Sequence, residues 1–271
     1  MAYKRILTIQ DISCVGQCSM TVALPVLSAC GHETCILPTA ILSTHTGGFG
    51  KPVVQHLSVD GIWRHWKEQN IDFDCILVGY LGSIAAIDTV SQILDEMLAP
   101  GGIAIVDPAM ADHGKLYSGF DEHYAAEMRK LCEKADIIIP NITEAAMMAG
   151  MEYQADLDEA YIRQLLRKLG GKDVVLTGVG FAPDQTGAAV RRGREVTFFH
   201  NPKVRKHYSG TGDLFAACFA GTLMQGKTLE ESVSTACGFV LRSIEATAEA
   251  PAHWYGVKFE TALPWLISQL F

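Results

Sequence analysis

Short, almost unbroken apolar runs alternate along this chain with longer stretches in which apolar residues recur every three or four positions. The runs lie at residues 4–10, 33–38, 74–80, 102–107, 136–140 and 173–178, with cores such as Ile6-Leu7-Thr8-Ile9, Cys75-Ile76-Leu77-Val78 and Val174-Val175-Leu176-Thr177. Apolar runs of this length without polar alternation are the mark of parallel strands buried on both faces. The helical stretches lie near residues 18–30, 58–69, 84–98, 121–134, 143–149 and 156–169. Alternation of this kind predicts an α/β fold: a doubly wound, mostly parallel sheet with helices on both faces and right-handed crossovers. After Gly178 the rhythm changes. Residues 186–191 and 195–200 read as an antiparallel pair around Arg192-Gly193, then a Gly-rich turn at 210–212 leads into sequence that is helical to the end. No repeat, linker or low-complexity segment interrupts the chain, so residues 1–271 are read as a single domain.

In sheets of this type ligands sit at the carboxyl ends of the strands. Polar residues cluster there: Gln10-Asp11 after the first strand, Gly79-Tyr80 after the third, Asp107-Pro108 and Asp112 after the fourth, Asn141 and Glu144 after the fifth, and Thr177-Gly178 after the sixth. The most telling segment is Tyr208-Ser209-Gly210-Thr211-Gly212-Asp213-Leu214-Phe215, where a loop turns into an apolar helix. Gly210 and Gly212 leave backbone N–H groups uncovered at a helix N-terminus, which makes a site for a phosphate or a developing anion. Asp213 repels such an anion, so it needs another purpose: it caps the helix, or it takes a proton from a hydroxyl that attacks a phosphoryl group. Asp107, Asp112 and Glu144 each have an ordinary explanation as a turn, a surface charge or a first-turn helix residue. Together they suit Mg²⁺ held with water next to nucleotide phosphates. Ser43-Thr44-His45-Thr46-Gly47-Gly48 is a polar, Gly-rich segment after an apolar run, and it reads as a binding loop. A lone histidine is more often structural than catalytic, but this one is flanked by two threonines.

One string misleads. Residues 221–228 match the phosphate-loop pattern GxxxxGK[ST] letter for letter. That loop must follow a strand and open a helix. Here the residues before it carry apolar side chains at helical spacing (Leu214, Cys218, Leu223; Phe215, Phe219), so Gly226 reads as the residue just past a helix end. Thr228 and Glu231 then read as a capping box that starts the next helix. Gly178-Val179-Gly180 reads as a turn, because Pro183 follows and no helix opens.

Composition narrows the partners. Hydrophobic residues make up 49% and charged residues 19%, as in a folded globular chain, and the formal net charge of -8 with no basic run argues against nucleic acid. No apolar run is long enough to span a bilayer, so no membrane partner is expected. The first residues enter a strand without a signal-type segment. The 8 cysteines include no CxxC pair, which reads as reduced thiols in the cytoplasm and gives no zinc-ligand spacing.

These segments resemble the ribokinase-like superfamily, and within it the vitamin B6 (pyridoxal) kinases, over nearly the whole chain. Residues 210–215 resemble the superfamily's anion hole and catalytic Asp. Ile6-Leu7-Thr8-Ile9-Gln10 is similar to that family's opening, Ser43-Thr44-His45-Thr46-Gly47 to its Ser-Asn-His-Thr segment, and residues 79–83 to its Gly-Tyr-Leu-Gly-Ser strand end. Asp107-Pro108 with Asp112 resembles its Asp-Pro-Val-x-Gly-Asp, and Pro140-Asn141 with Glu144 its Pro-Asn-x-x-Glu. The resemblance implies ATP and Mg²⁺ as cofactors, K⁺ in some relatives, a B6 vitamer as substrate and a homodimer. It implies Asp213 as general base on the 5′-hydroxymethyl group, with the amides of Gly210, Thr211, Gly212 and Asp213 around the moving phosphoryl. Asp107, Asn141, Glu144 and Thr177 would serve ATP, with Asp112 and Glu144 toward the metal. His45, Thr46, Tyr80, and Asp11 or Ser13 in the loop after Gln10 would hold the pyridine ring. The chain departs from the family in having Asp11-Ile12 for Ser-His and Thr44 for Asn. An Asp in that place suits a pyridinium or an amine. Some related kinases carry Cys for the last Asp; Asp213 implies the Asp-based mechanism. Hydroxymethylpyrimidine kinase is the rival enzyme, and a non-catalytic B6-binding protein on the same fold is the rival outside enzymes.

Overall fold

The computed structural model describes residues 3–169, 173–204, 206, 208–250 and 252–271. In chain order the elements are β1 (Arg5–Ser13), α1 (Met20–Ala29), β2 (Glu33–Leu42), β3 (Val54–His56), α2 (Asp60–Glu68), β4 (Phe73–Val78), α3 (Ile84–Glu96) and β5 (Leu98–Val106). A small hairpin, β6 (Ala111–Asp112) and β7 (Lys115–Leu116), precedes α4 (Glu122–Lys134), β8 (Ile137–Ile138), α5 (Ile142–Ala149) and α6 (Glu159–Lys168). Then come β9 (Asp173–Thr177), β10 (Gln185–Arg192), β11 (Glu195–Pro202), α7 (Thr211–Met224), α8 (Leu229–Ala248), a 3₁₀ turn (Phe259–Ala262) and α9 (Leu263–Ser268).

The sheet has the order β11-β10-β9-β8-β5-β4-β1-β2-β3. β2, β1, β4, β5, β8 and β9 are mutually parallel, β3 and β10 run against them, and β11, antiparallel to β10, runs with them again. The expected doubly wound, mostly parallel sheet is present, with the antiparallel pair where the pattern changed. Its apolar runs are buried on both sides because neighbouring residues feed different cores. Leu7, Ile9, Ile76 and Val78 pack with Trp63 of α2, Ile87 of α3, Met128 of α4 and Leu165 of α6. Ile6, Cys75, Leu77 and Val175 face the other way, onto Val26 of α1, Phe219 of α7 and Phe239 of α8.

The differences from the sequence reading lie at the edges. β1 runs on past Gln10 to Ser13 through a register shift between Gln10 and Ile12. β3 and the β6–β7 hairpin went unread, being too short to show a period. β8 is also shorter than the apolar run that marks it, but single backbone bonds from Ile139 to Val106 and from Thr177 to Pro140 continue the pairing toward the carboxyl edge. The phosphate-loop look-alike is the turn between two helices: α7 ends at Met224, Gly226 has φ +95°, and Thr228 and Glu231 form a reciprocal capping box on α8. Among the described residues no helix is long and apolar enough to cross a membrane.

Candidate active site

The strand order reverses beside β1. The chain passes outward to β2 on one flank and returns to β4 on the other. Such a reversal opens a crevice at the carboxyl edge. Asp11 near the end of β1, Tyr80 just past β4, Asp107 past β5, Asn141 past β8 and Thr177 at the end of β9 all stand on that edge. α7 closes it, with Asp213 in its first turn.

The start of α7 differs from that of most longer helices here. α3, α4, α5, α6 and α8 each begin with a side chain that accepts a backbone N–H. α7 begins at Gly210 with no side-chain cap. The first-turn amides are therefore left for something else. Gly210 is at φ +80°, and a Cβ there would lie 1.9 Å from the Gln17 carbonyl oxygen, so only glycine lets the 14–19 loop pack onto the turn. A Cβ on Gly212 would meet nothing within 4 Å: the turn is open on the side away from that loop.

Asp213 stands in the first turn of α7, whose N-cap is a glycine, and no described hydrogen bond joins its carboxylate to the helix's own amides. Instead the carboxylate lies by Ser19, and burial, then the charges of Asp107 and Asp11, push its pKa up to about 7 against the pull of the Ser19 backbone. A base with a pKa near neutrality suits proton transfer at ordinary pH. Ser19 sits at φ +53°. Of the four non-glycine residues with positive φ among those described, Ser19, Ala109 and His113 are on this edge and only Asn70 is remote. Strained backbone of this kind concentrates at functional sites.

Asp107 accepts the Ala109 N–H through Oδ1 at 3.1 Å. Glu144 is 1% exposed and turned into the fold: Oε1 accepts from the Met110 and Ala111 amides and Oε2 from Asn141 N–H at 2.8 Å. Asn141 completes a capping box on α5 and donates its amide to the Ala111 carbonyl at 2.7 Å, which ties the β6–β7 hairpin to the sheet edge. Thr177 pairs with Asn141 across the edge. Burial raises both the Asp107 and Glu144 carboxyls; next in order, Glu144's charge raises Asp107, while backbone N–H groups hold Glu144 down. Asp112, on the hairpin, is partly exposed and accepts the His113 N–H at 2.8 Å.

Asp107, Asp112 and Glu144 do not form a metal cage. Among the described residues no three His, Cys, Asp or Glu side chains are grouped to hold a metal on their own. Mg²⁺ is ordinarily held by one or two carboxylates together with phosphates and water, and buried like charges are relieved by such a cation. The donor set here fits that use, with Asp107 and Asp112 each bonded to a single described backbone amide, unlike Glu144.

On the opposite flank Asp11 is 2% exposed, and its Oδ2 accepts the Ser13 hydroxyl at 2.9 Å. Burial raises its carboxyl, while hydrogen bonding to Ser19 and Ser13 lowers it. Tyr80 stacks on Phe120 at 5.5 Å, and Phe120 on Tyr124 at 3.7 Å, an aromatic wall on this side of the crevice. Thr46 is exposed. His45 is buried, with both ring nitrogens bonded to backbone groups.

Sequence reasoning missed Ser19, which a local reading makes an ordinary helix cap, and Tyr117. Tyr117, just past the hairpin, is 40% exposed; partial burial of its phenol, then the charges of Glu144, Asp107, Asp112 and Asp213, push the phenol up. No local pattern marks either.

A two-sided sheet with an uncapped Gly-rich helix start and a buried carboxylate beside it places this chain among the ribokinase-like proteins. The phosphomethylpyrimidine kinase family model matches residues 24–257, and the chain belongs to that family, on its pyridoxal kinase side. It is similar to the crystal structure of pyridoxal kinase from Lactobacillus plantarum, with a TM-score of 0.90, 35% identity and coverage of 98% of this chain and 97% of that one. A pyridoxine/pyridoxal/pyridoxamine kinase of Bordetella avium is 28% identical over 89% of this chain and 85% of its own length. A hydroxymethylpyrimidine/phosphomethylpyrimidine kinase of Haemophilus influenzae is 30% identical, but over 62% of this chain and 63% of its own.

Proposed function

We propose that this protein transfers the γ-phosphoryl group of ATP to the 5′-hydroxymethyl group of a B6 vitamer (pyridoxal, pyridoxamine or pyridoxine). The observation that carries the reading is Asp213, a buried carboxylate with a pKa raised to about 7, set beside the uncapped amides of residues 210–213. The vitamer lies between Tyr80 and the Thr46 loop, with its hydroxymethyl group toward Asp213. Asp11 takes a hydrogen-bond donor of the ring or its substituent. As the hydroxyl oxygen attacks the γ-phosphorus in line, Asp213 accepts its proton. The open amides of the α7 turn receive the charge that develops on the phosphoryl oxygens. Asp107, Thr177 and the Asn141-tied hairpin hold the nucleotide side. When bound, Mg²⁺ neutralises charge on the phosphates. Asp107 and Asp112 are the residues that would hold it. The whole chain acts as one kinase domain, as a cytoplasmic homodimer.

One finding favours a B6 vitamer over hydroxymethylpyrimidine. The relatives named for B6 vitamers align over most of both chains, whereas the hydroxymethylpyrimidine kinase aligns over less than two thirds of either. The wall of Tyr80 and Phe120 gives a flat face that suits either ring. The test is a product assay with purified protein, Mg-ATP and four substrates: pyridoxal, pyridoxamine, pyridoxine and hydroxymethylpyrimidine. A B6 5′-phosphate formed faster than hydroxymethylpyrimidine phosphate supports the reading. The reverse order assigns the rival activity, and no product from any of them returns the fold to a binding role.

A further inference from the structure

The ring of His45 holds the loop that carries Thr46 from both sides. Its Nδ1 accepts the Gly47 N–H at 2.9 Å, and its Nε2 lies 2.7 Å from the Tyr255 carbonyl oxygen. A ring nitrogen that accepts an N–H carries no proton, so Nε2 bears it and donates to the carbonyl. Neither nitrogen is left for a ligand. The ring is 5% exposed and lies tight against Gly16, where a Cβ would come within 2.0 Å of His45 Cδ2. Phe49 meets the ring edge-on at 5.0 Å and packs on Trp254 at 4.7 Å and Tyr255 at 5.8 Å. Gly47 backs onto the phosphate turn: a Cβ there would lie 2.8 Å from Ser209 Oγ, one residue before Gly210. One imidazole thus joins the 14–19 loop, the 43–50 loop and the 252–256 segment, and the backbone it fixes leans on the start of α7.

We propose that His45 is a positioning residue that touches no substrate: its two backbone hydrogen bonds set the height of Thr46 over the crevice and hold Gly47 against Ser209. This rests on the reading of Thr46 as a vitamer contact. Nothing in the sequence separates this role from that of a direct ligand, because both call for a histidine next to Thr46.

Two substitutions divide the bonds. His45→Asn keeps an acceptor near Nδ1 and loses the reach to Tyr255; His45→Gln keeps a donor near Nε2 and loses the acceptor for Gly47. Each should raise KM for the vitamer about tenfold, as loss of roughly one net hydrogen bond does, with kcat and KM for ATP changed less than about twofold. In a Thr46→Ala background each should change the vitamer KM less than about twofold, since residues that act through one contact are not additive. Additive effects in that cycle mean that His45 meets the substrate itself, and they overturn the proposal. Hydrogen exchange of the Gly47 amide, followed by NMR in the unmodified protein and both variants, needs no activity. It should be protected in the wild type and in His45→Asn and should open in His45→Gln. Open-loop exchange of Gly47 in the wild type overturns the clamp even if neither variant folds. A wild type that phosphorylates no vitamer overturns the function instead and leaves the exchange result standing.

Discussion

Replacing Asp213 with Asn should stabilise the fold and do so more as the pH rises. The Asp213 carboxyl is moved from 3.8 to about 7 by burial and by the charges of Asp107 and Asp11. The folded-state value is raised, so the unfolded chain ionises first. Stability therefore falls between pH 3.8 and about 7 and is level above that. At about 1.4 kcal/mol per pH unit, the ionised carboxylate costs roughly 4 kcal/mol at pH 8, of which about 3 kcal/mol accrues above pH 5. Asn has the shape of the protonated acid and no charge, so the variant escapes this cost. For a domain near this size 1 kcal/mol moves Tm by roughly 2–4 °C. The lead of Asp213→Asn in Tm should therefore widen by about 5–10 °C between pH 5 and pH 8. Calorimetry of both proteins without nucleotide reads this directly, and the titrating groups that do not interact with Asp213 cancel in the difference. A gap that stays constant or narrows over that range refutes the raised carboxyl and, with it, the argument for a base poised near neutrality.

Four further substitutions probe the site and the phosphate-loop look-alike. Gly210→Ala puts a methyl 1.9 Å from the Gln17 carbonyl at a positive φ, whereas Gly212→Ala adds one in open space. The first should cost at least ~1–2 kcal/mol of stability through its backbone conformation alone, and the second should leave Tm level or higher while lowering kcat about tenfold or more by crowding the anion turn, as thermal melts and steady-state kinetics will show. Asn141→Ala removes the cap of α5 and the tie to the hairpin, and it should cost about 1–3 kcal/mol in denaturant melts and raise KM for ATP. Lys227→Ala, in the phosphate-loop look-alike, should leave KM for ATP within about twofold, because that loop only links α7 to α8.

How much of this could be read from the sequence follows from the range of each signal. The six parallel strands were legible because burial on both faces leaves each of them an apolar run, and Ile6, Leu7, Cys75, Ile76 and Val174 are all buried without exposure. The turn at 210–213 was legible because its chemistry is local: two glycines, a helix start and a carboxylate. Glu144 was read as facing the metal but is taken up by three backbone amides, because the Met110 and Ala111 amides reach it from a hairpin too short to show a period. Ser19 was hidden because its positive φ and its bond to Asp213 exist only in the folded chain, and Tyr117 because the charges of Glu144 and Asp213 reach it from distant segments. His45 was visible as a residue but its role was not, since Tyr255 lies 210 residues away in sequence.

Asp213 is proposed as the general base for phosphoryl transfer to a B6 vitamer at the amide-lined start of α7. Its most direct test is single-turnover transfer of label from γ-labelled Mg-ATP to pyridoxal by the wild type and Asp213→Asn, with ATP affinity measured in both. The wild type should form pyridoxal 5′-phosphate in step with ADP, and the variant should be slower by about 10²–10⁴-fold with the same ATP affinity. Transfer by Asp213→Asn at close to the wild-type rate would contradict it.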